Sequence, residues 1–99
     1  MSSAKKPAGK HFLRREVVVI NKLGIHARPA AMFVKVANRF TCNIFVEKDG
    51  EKINGKSIMG LMMLAAGPGT ILLLTTEGDD GSQALDAIEE LMKRKFDEE

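Results

Sequence analysis

A single cysteine, Cys42, stands among the 99 residues, which excludes an internal disulfide and with it a disulfide-stapled scaffold. No further Cys or His lies near it at metal-ligand spacing, so neither a metal nor another cofactor is expected; Cys42 reads as a small core residue. Also missing is any stretch approaching the roughly 20 apolar residues of a membrane span, and the opening MSSAKKPAGK lacks the apolar centre of a secretory signal. The chain is therefore expected to be cytoplasmic, with no membrane insertion. Residues 1–15 hold no acidic side chain against five basic ones, Lys5, Lys6, Lys10, Arg14 and Arg15. Because the whole chain is only +2, the remainder carries −3. A basic tail can bind nucleic acid, but this one has no aromatic residue beyond Phe12 to interleave, and its Ser, Ala, Lys, Pro and Gly content suits a disordered lead-in. No direct nucleic-acid partner is expected.

What remains is enough for one compact core and too little for two. We divide the chain into a disordered basic extension at 1–13, one domain at 14–96 and a frayed end at 97–99. Residues 12–20 are rich in β-formers and close on four β-branched residues, Val17 to Ile20. A helix follows, with Ala30, Phe33, Val34 and Ala37 on one face. Pro29 is tolerated only in its first turn, which sets the start at about Ala27. Two short strands, 43–48 and 51–54, meet through Asp49-Gly50, a dipeptide that tight hairpins prefer. Ser57 precedes an apolar run where a helix cap belongs, and Gly67-Pro68-Gly69 ends that helix. A strand at 70–76 and a helix with Ala84, Leu85, Ile88, Leu91 and Met92 on one side complete the chain, the latter opened by a capping box, Asp80-x-x-Gln83. The order β-α-β-β-α-β-α, with an obligatory antiparallel hairpin, predicts an α+β open-faced sandwich.

Chemistry concentrates at Gly24-Ile25-His26-Ala27-Arg28-Pro29-Ala30. A helix N-terminus has unpaired N–H donors and roughly half a positive charge, so it stabilises a neighbouring anion. His26 is where a phosphate would meet that end, with the backbone of Ala27 and Arg28 donating and the Arg28 guanidinium matching phosphate oxygens. The same positive field disfavours a protonated ring and so preserves the lone pair that a nitrogen nucleophile needs. Spacing alone leaves two readings open, a phosphoryl acceptor and an exposed loop histidine without chemistry. His11, in the tail, has no such surroundings.

The segment Leu23 to Ala30, followed about thirty residues on by Gly55-Lys56-Ser57-Ile58-Met59-Gly60-Leu61-Met62, resembles the two signature regions of the histidine-containing phosphocarrier (HPr) family of the phosphoenolpyruvate-dependent phosphotransferase system. The likeness runs from about residue 14 to residue 96. It implies a four-stranded antiparallel sheet with three helices on one face. It also implies a monomeric phosphohistidine carrier in which His26 takes a phosphoryl group on Nδ1 from enzyme I and passes it to a IIA-type domain, with Arg28 on the phosphate side. Such a carrier has no small-molecule substrate of its own, in keeping with the lack of a second acid–base residue beside His26 and of a nucleotide-binding loop. In some bacteria the serine matching Ser57 is phosphorylated by an ATP-dependent kinase, HPr kinase/phosphorylase, and the modified form acts on a transcription regulator; Lys56 would be its cationic neighbour. The resemblance further favours Ile58, Met59 and Met62 as an exposed partner-binding patch, while Leu61 and Leu64 are core candidates. Leu23 replaces the small polar residue common in sugar-branch members, and 21–24 with the closing residues resembles the nitrogen-branch relative (NPr). An alternative function is a purely regulatory module switched at Ser57, which would not need the histidine.

Overall fold

The computed structural model describes residues 12–98. Strand β1 (Phe12–Val18) leads into helix α1 (Ala27–Ala37), followed by β2 (Asn43–Lys48), β3 (Glu51–Asn54), α2 (Ile58–Met63), β4 (Ile71–Glu77) and α3 (Gly81–Lys93), with a short 3₁₀ turn at Lys95–Asp97. The order is the one the sequence predicts. The four strands form one sheet in the order β1-β4-β2-β3, every neighbouring pair antiparallel. β2 and β3 close through Asp49 and Gly50, both at positive φ (51° and 85°), the twist that a two-residue hairpin loop requires. β1 and β2 each run antiparallel to β4 and are therefore parallel to one another, joined by α1; β3 and β4 are related in the same way through α2. Two such crossovers need helices, and they carry them over the sheet.

Alternation along the strands decides which face the helices cover. Val17, Ile44, Val46, Leu72 and Leu74 are buried beneath them, with register pairs Val17–Leu72 and Val46–Leu74. The opposite face carries Phe12, Arg14, Val18, Phe45 and Lys52, where Lys52 lies 4.8 Å over the Phe45 ring and Arg14 5.5 Å over Phe12. The helical stripes read from the sequence are the buried ones: Ala30, Phe33, Val34 and Ala37 from α1, and Ala84, Leu85, Ile88, Leu91 and Met92 from α3. Each large side chain fully removed from water contributes roughly 1.5–3 kcal/mol. Arg15 ties β1 to α3 by donating to Asp86 at 2.8 Å and Glu89 at 2.9 Å. Cys42 is buried, as its type predicts, and burial pushes its thiol up to about 11.

Three local expectations need correction. Asp80 stands at the α3 cap position but its side chain makes no cap bond. Its carboxylate instead accepts from the backbone N–H of Thr41 at 2.8 Å and Cys42 at 2.9 Å, pinning the α1–β2 loop across the molecule. Residues 12 and 13, assigned to the basic extension, belong to β1 and pair with Glu77 and Thr76. Asp97 and Glu98, expected to fray, are held: Asp97 N–H and Glu98 N–H donate to the Arg94 and Lys95 carbonyls at 2.9 Å, and the Glu98 side chain is engaged as described below. Residues 1–11, including His11, lie outside the described residues. Among the described residues no helix is long and apolar enough to cross a membrane.

Candidate functional site

The β1–α1 loop is built around one close approach. Gly24 has φ +72°, and a Cβ placed on it would stand 2.4 Å from the Ala66 carbonyl oxygen; only glycine fits both demands. That approach lets the next residue, Ile25, donate its N–H to Ala66 O at 2.8 Å, which ties the loop to the segment just past α2. His26 then takes extended backbone angles at the N-cap of α1, and its carbonyl accepts from Ala30 N at 2.9 Å. Its side chain makes no cap bond. The ring is thus left to face outward at the helix end, 40% exposed. Ala27 and Arg28 occupy the first turn, where no preceding carbonyl is available to their N–H groups, and Pro29 removes a donor that would have had no helical partner either.

A carboxylate the sequence did not announce completes the site. Glu98 Oε2 lies 2.8 Å from His26 Nε2, and Glu98 Oε1 accepts from Asn21 Nδ2 at 2.9 Å. Asn21 is buried and also donates to Gly24 O at 2.7 Å, so a single amide joins the loop to the C-terminal segment. The Asn21 hydrogen bond foremost, then His26 and the charge of Arg28, hold the Glu98 carboxyl below the usual range, against the opposing effect of desolvation. An ionised carboxylate only accepts, so the hydrogen between the two groups belongs to Nε2; in a neutral ring Nδ1 then carries the lone pair. Arg28 is exposed on the first turn, close enough for its charge to act on Glu98. The fold therefore gathers His26, the first-turn backbone, Arg28, Asn21 and Glu98 at one end of α1. No local pattern marks Glu98 as the partner of His26 or Asn21, because those contacts span 72 and 77 residues of chain.

Ser57 caps α2 as its position predicts, its Oγ accepting from Gly60 N at 2.9 Å. Lys56 turns its ammonium away to the Phe40 carbonyl, 2.7 Å off. Leu61 on α2 and Leu64 just after it are core, while Ile58, Met59 and Met62 are exposed, Met59 at 73%. Met63, at 67%, extends the patch; its position four residues after Met59 is the signal that would have placed it there.

Comparison with known proteins adds the decisive observation. The family described as PTS-HPr, the PTS HPr component phosphorylation site, matches residues 13–94. The chain belongs to the HPr family. Its place there gives it the phosphocarrier role of the phosphotransferase system. The phosphocarrier protein HPr of Pseudomonas aeruginosa is 54% identical over 84 residues, covering 84% of this chain and 93% of that protein. The HPr-like protein Crh of Halalkalibacterium halodurans is also 54% identical, over 77 residues, 78% of this chain and 92% of the other. Among solved structures, HPr-C-His from Thermoanaerobacter tengcongensis superposes with a TM-score of 0.84 at 46% identity, covering 88% of this chain and 98% of that one.

Proposed function

We propose that His26 is the phosphoryl acceptor, charged through Nδ1 by phosphorylated enzyme I and discharged to a IIA-type domain, in sugar uptake or its regulation. The observation that supports this most is the geometry of the ring: it stands at the head of α1 without a cap bond, 40% exposed, with Nε2 occupied by Glu98 and Nδ1 left to react. Attack by the Nδ1 lone pair forms a nitrogen–phosphorus bond as the bond from phosphorus to the donor breaks and its electron pair returns to the donor. The transferred oxygens then meet the N–H groups of Ala27 and Arg28, set by the first turn of α1 before the phosphate arrives, and the exposed Arg28 guanidinium closes on them. Little reorganisation is needed in either direction, which suits a carrier. The patch of Ile58, Met59 and Met62 is the docking surface, since the residue following α2 by three, Ala66, is bonded to the loop that presents His26.

Incubation of the full chain with enzyme I and phosphoenolpyruvate is expected to add one acid-labile phosphate. His26→Ala should take up none, and Arg28→Glu should slow transfer about 10-fold or more, the worth of a charge-assisted phosphate hydrogen bond. A phosphorylated His26→Ala protein would refute the assignment. Donors of the sugar and nitrogen branches, compared side by side, decide between the two pathways.

The likeness to Crh supports a second reading, a regulatory module switched at Ser57 by a kinase and read by a transcription regulator. Ser57 is half-exposed and adjoins the patch at Ile58 and Met59, so a phosphate there would change the field a partner meets without unseating the helix cap. Under this reading regulator binding survives His26→Ala, whereas the relay does not.

A further inference from the structure

Beyond α3 three consecutive residues with side chains, Lys95, Phe96 and Asp97, have φ of 56°, 55° and 60°. The left-handed region is unfavourable for any residue bearing a Cβ, and a run of three persists only where the surroundings over-determine it. Phe96 supplies the anchor, its side chain only 1% exposed within the core. The outcome of this strained turn is the placement of Glu98, whose carboxylate is then gripped from both sides, by buried Asn21 on Oε1 and by the imidazole on Oε2.

We propose that Glu98 is a positioning residue for phosphoryl transfer at His26: it keeps the proton on Nε2 through the whole cycle, and Asn21 aims its carboxylate. This inference rests on the acceptor reading of His26. In the free ring Nε2 holds the hydrogen and Nδ1 the lone pair. Attack through Nδ1 leaves that hydrogen in place and gives the ring the positive charge of an imidazolium, which the adjacent carboxylate stabilises, as a carboxylate does behind the histidine of a catalytic triad. Onward transfer breaks the nitrogen–phosphorus bond, returns its electron pair to Nδ1 and leaves a neutral ring, again protonated on Nε2. No proton enters or leaves in either direction. The relay therefore runs without a separate acid or base.

The test uses the full-length wild type, Glu98→Gln and Glu98→Ala, each labelled with nitrogen-15. Before any phosphate is added, the wild type is expected to show a His26 Nε2–H resonance protected from solvent exchange. The Glu98→Gln variant keeps an accepting oxygen and should retain that resonance; the Glu98→Ala variant should lose it. Transfer from enzyme I should be about 10-fold slower in Glu98→Ala, the scale on which outer partners of a functional imidazole act. Glu98→Gln should fall between, holding the tautomer without the charge. Wild type lacking the protected proton, or Glu98→Ala transferring at an equal or faster rate, overturns the positioning role and leaves the relay standing. A wild type that takes up no phosphate overturns both.

Discussion

Gly24 shows how a single residue governs the presentation of the histidine. The atoms a Cβ would meet, Ala66 O at 2.4 Å and Gly67 Cα at 2.8 Å, are backbone and cannot rotate aside. Gly24→Ala is therefore expected to destabilise the protein by about 2 kcal/mol or more, combining overpacking with a positive φ. Urea denaturation measures the loss, and slower phosphorylation of the variant would report the displaced loop. The sequence marks His26, Arg28 and Ser57 by their places at helix starts, because caps are local features readable from a few neighbouring residues. It marks neither Ala66 as the partner of the loop nor Glu98 as the partner of the ring. Both depend on segments that only the closed fold brings together.

Among the elements, the start of α3 departs furthest from its local pattern. Asp80 has the sequence of a cap and the work of a staple, with its oxygens directed to Thr41 and Cys42. The first reason its carboxyl lies below the ordinary 3.8 is the N–H of Thr41, followed on the same side by Cys42, while burial opposes both. A carboxyl lowered by folding adds stability that is fully present above its unfolded value and is lost as pH falls through the folded one. Glu98 behaves in the same sense, lowered by Asn21 and then His26. Thermal unfolding should therefore shift downward as the pH drops below the usual carboxylate range. Asp80→Ala should be less stable at neutral pH and show a flatter acid limb; an acid limb identical to that of the wild type would show that the staple contributes nothing. The hairpin behaves oppositely to α3, for Asp49-Gly50 predicted its own turn and the structure places both residues at positive φ.

Across the whole molecule, burial separates two classes of apolar side chain that composition alone does not distinguish. Phe33 is fully buried between α1 and the sheet, whereas Met59 is 73% exposed. Phe33→Ala is expected to cost about 3–5 kcal/mol in chemical denaturation, from lost transfer energy and the cavity left behind. Met59→Ala should stay within about 0.5 kcal/mol of wild type while weakening association with enzyme I. The measurement pair separates the buried core from the exposed patch proposed as the docking surface. The crossovers β1-α1-β2 and β3-α2-β4 each bring one helix to that core, and α3, which follows β4, packs against α1, β1 and β4.

Periodicity, turn dipeptides and caps are properties of neighbouring residues, so the sequence by itself determined the seven elements, their buried stripes and the histidine at the head of α1. Which strands pair, that Asp80 reaches the α1–β2 loop, and that Glu98, held by Asn21, meets the imidazole were decided by tertiary structure alone. Hydrogen bonds between groups dozens of residues apart leave no periodic trace in the chain, and they exist only after the core has drawn those segments within reach.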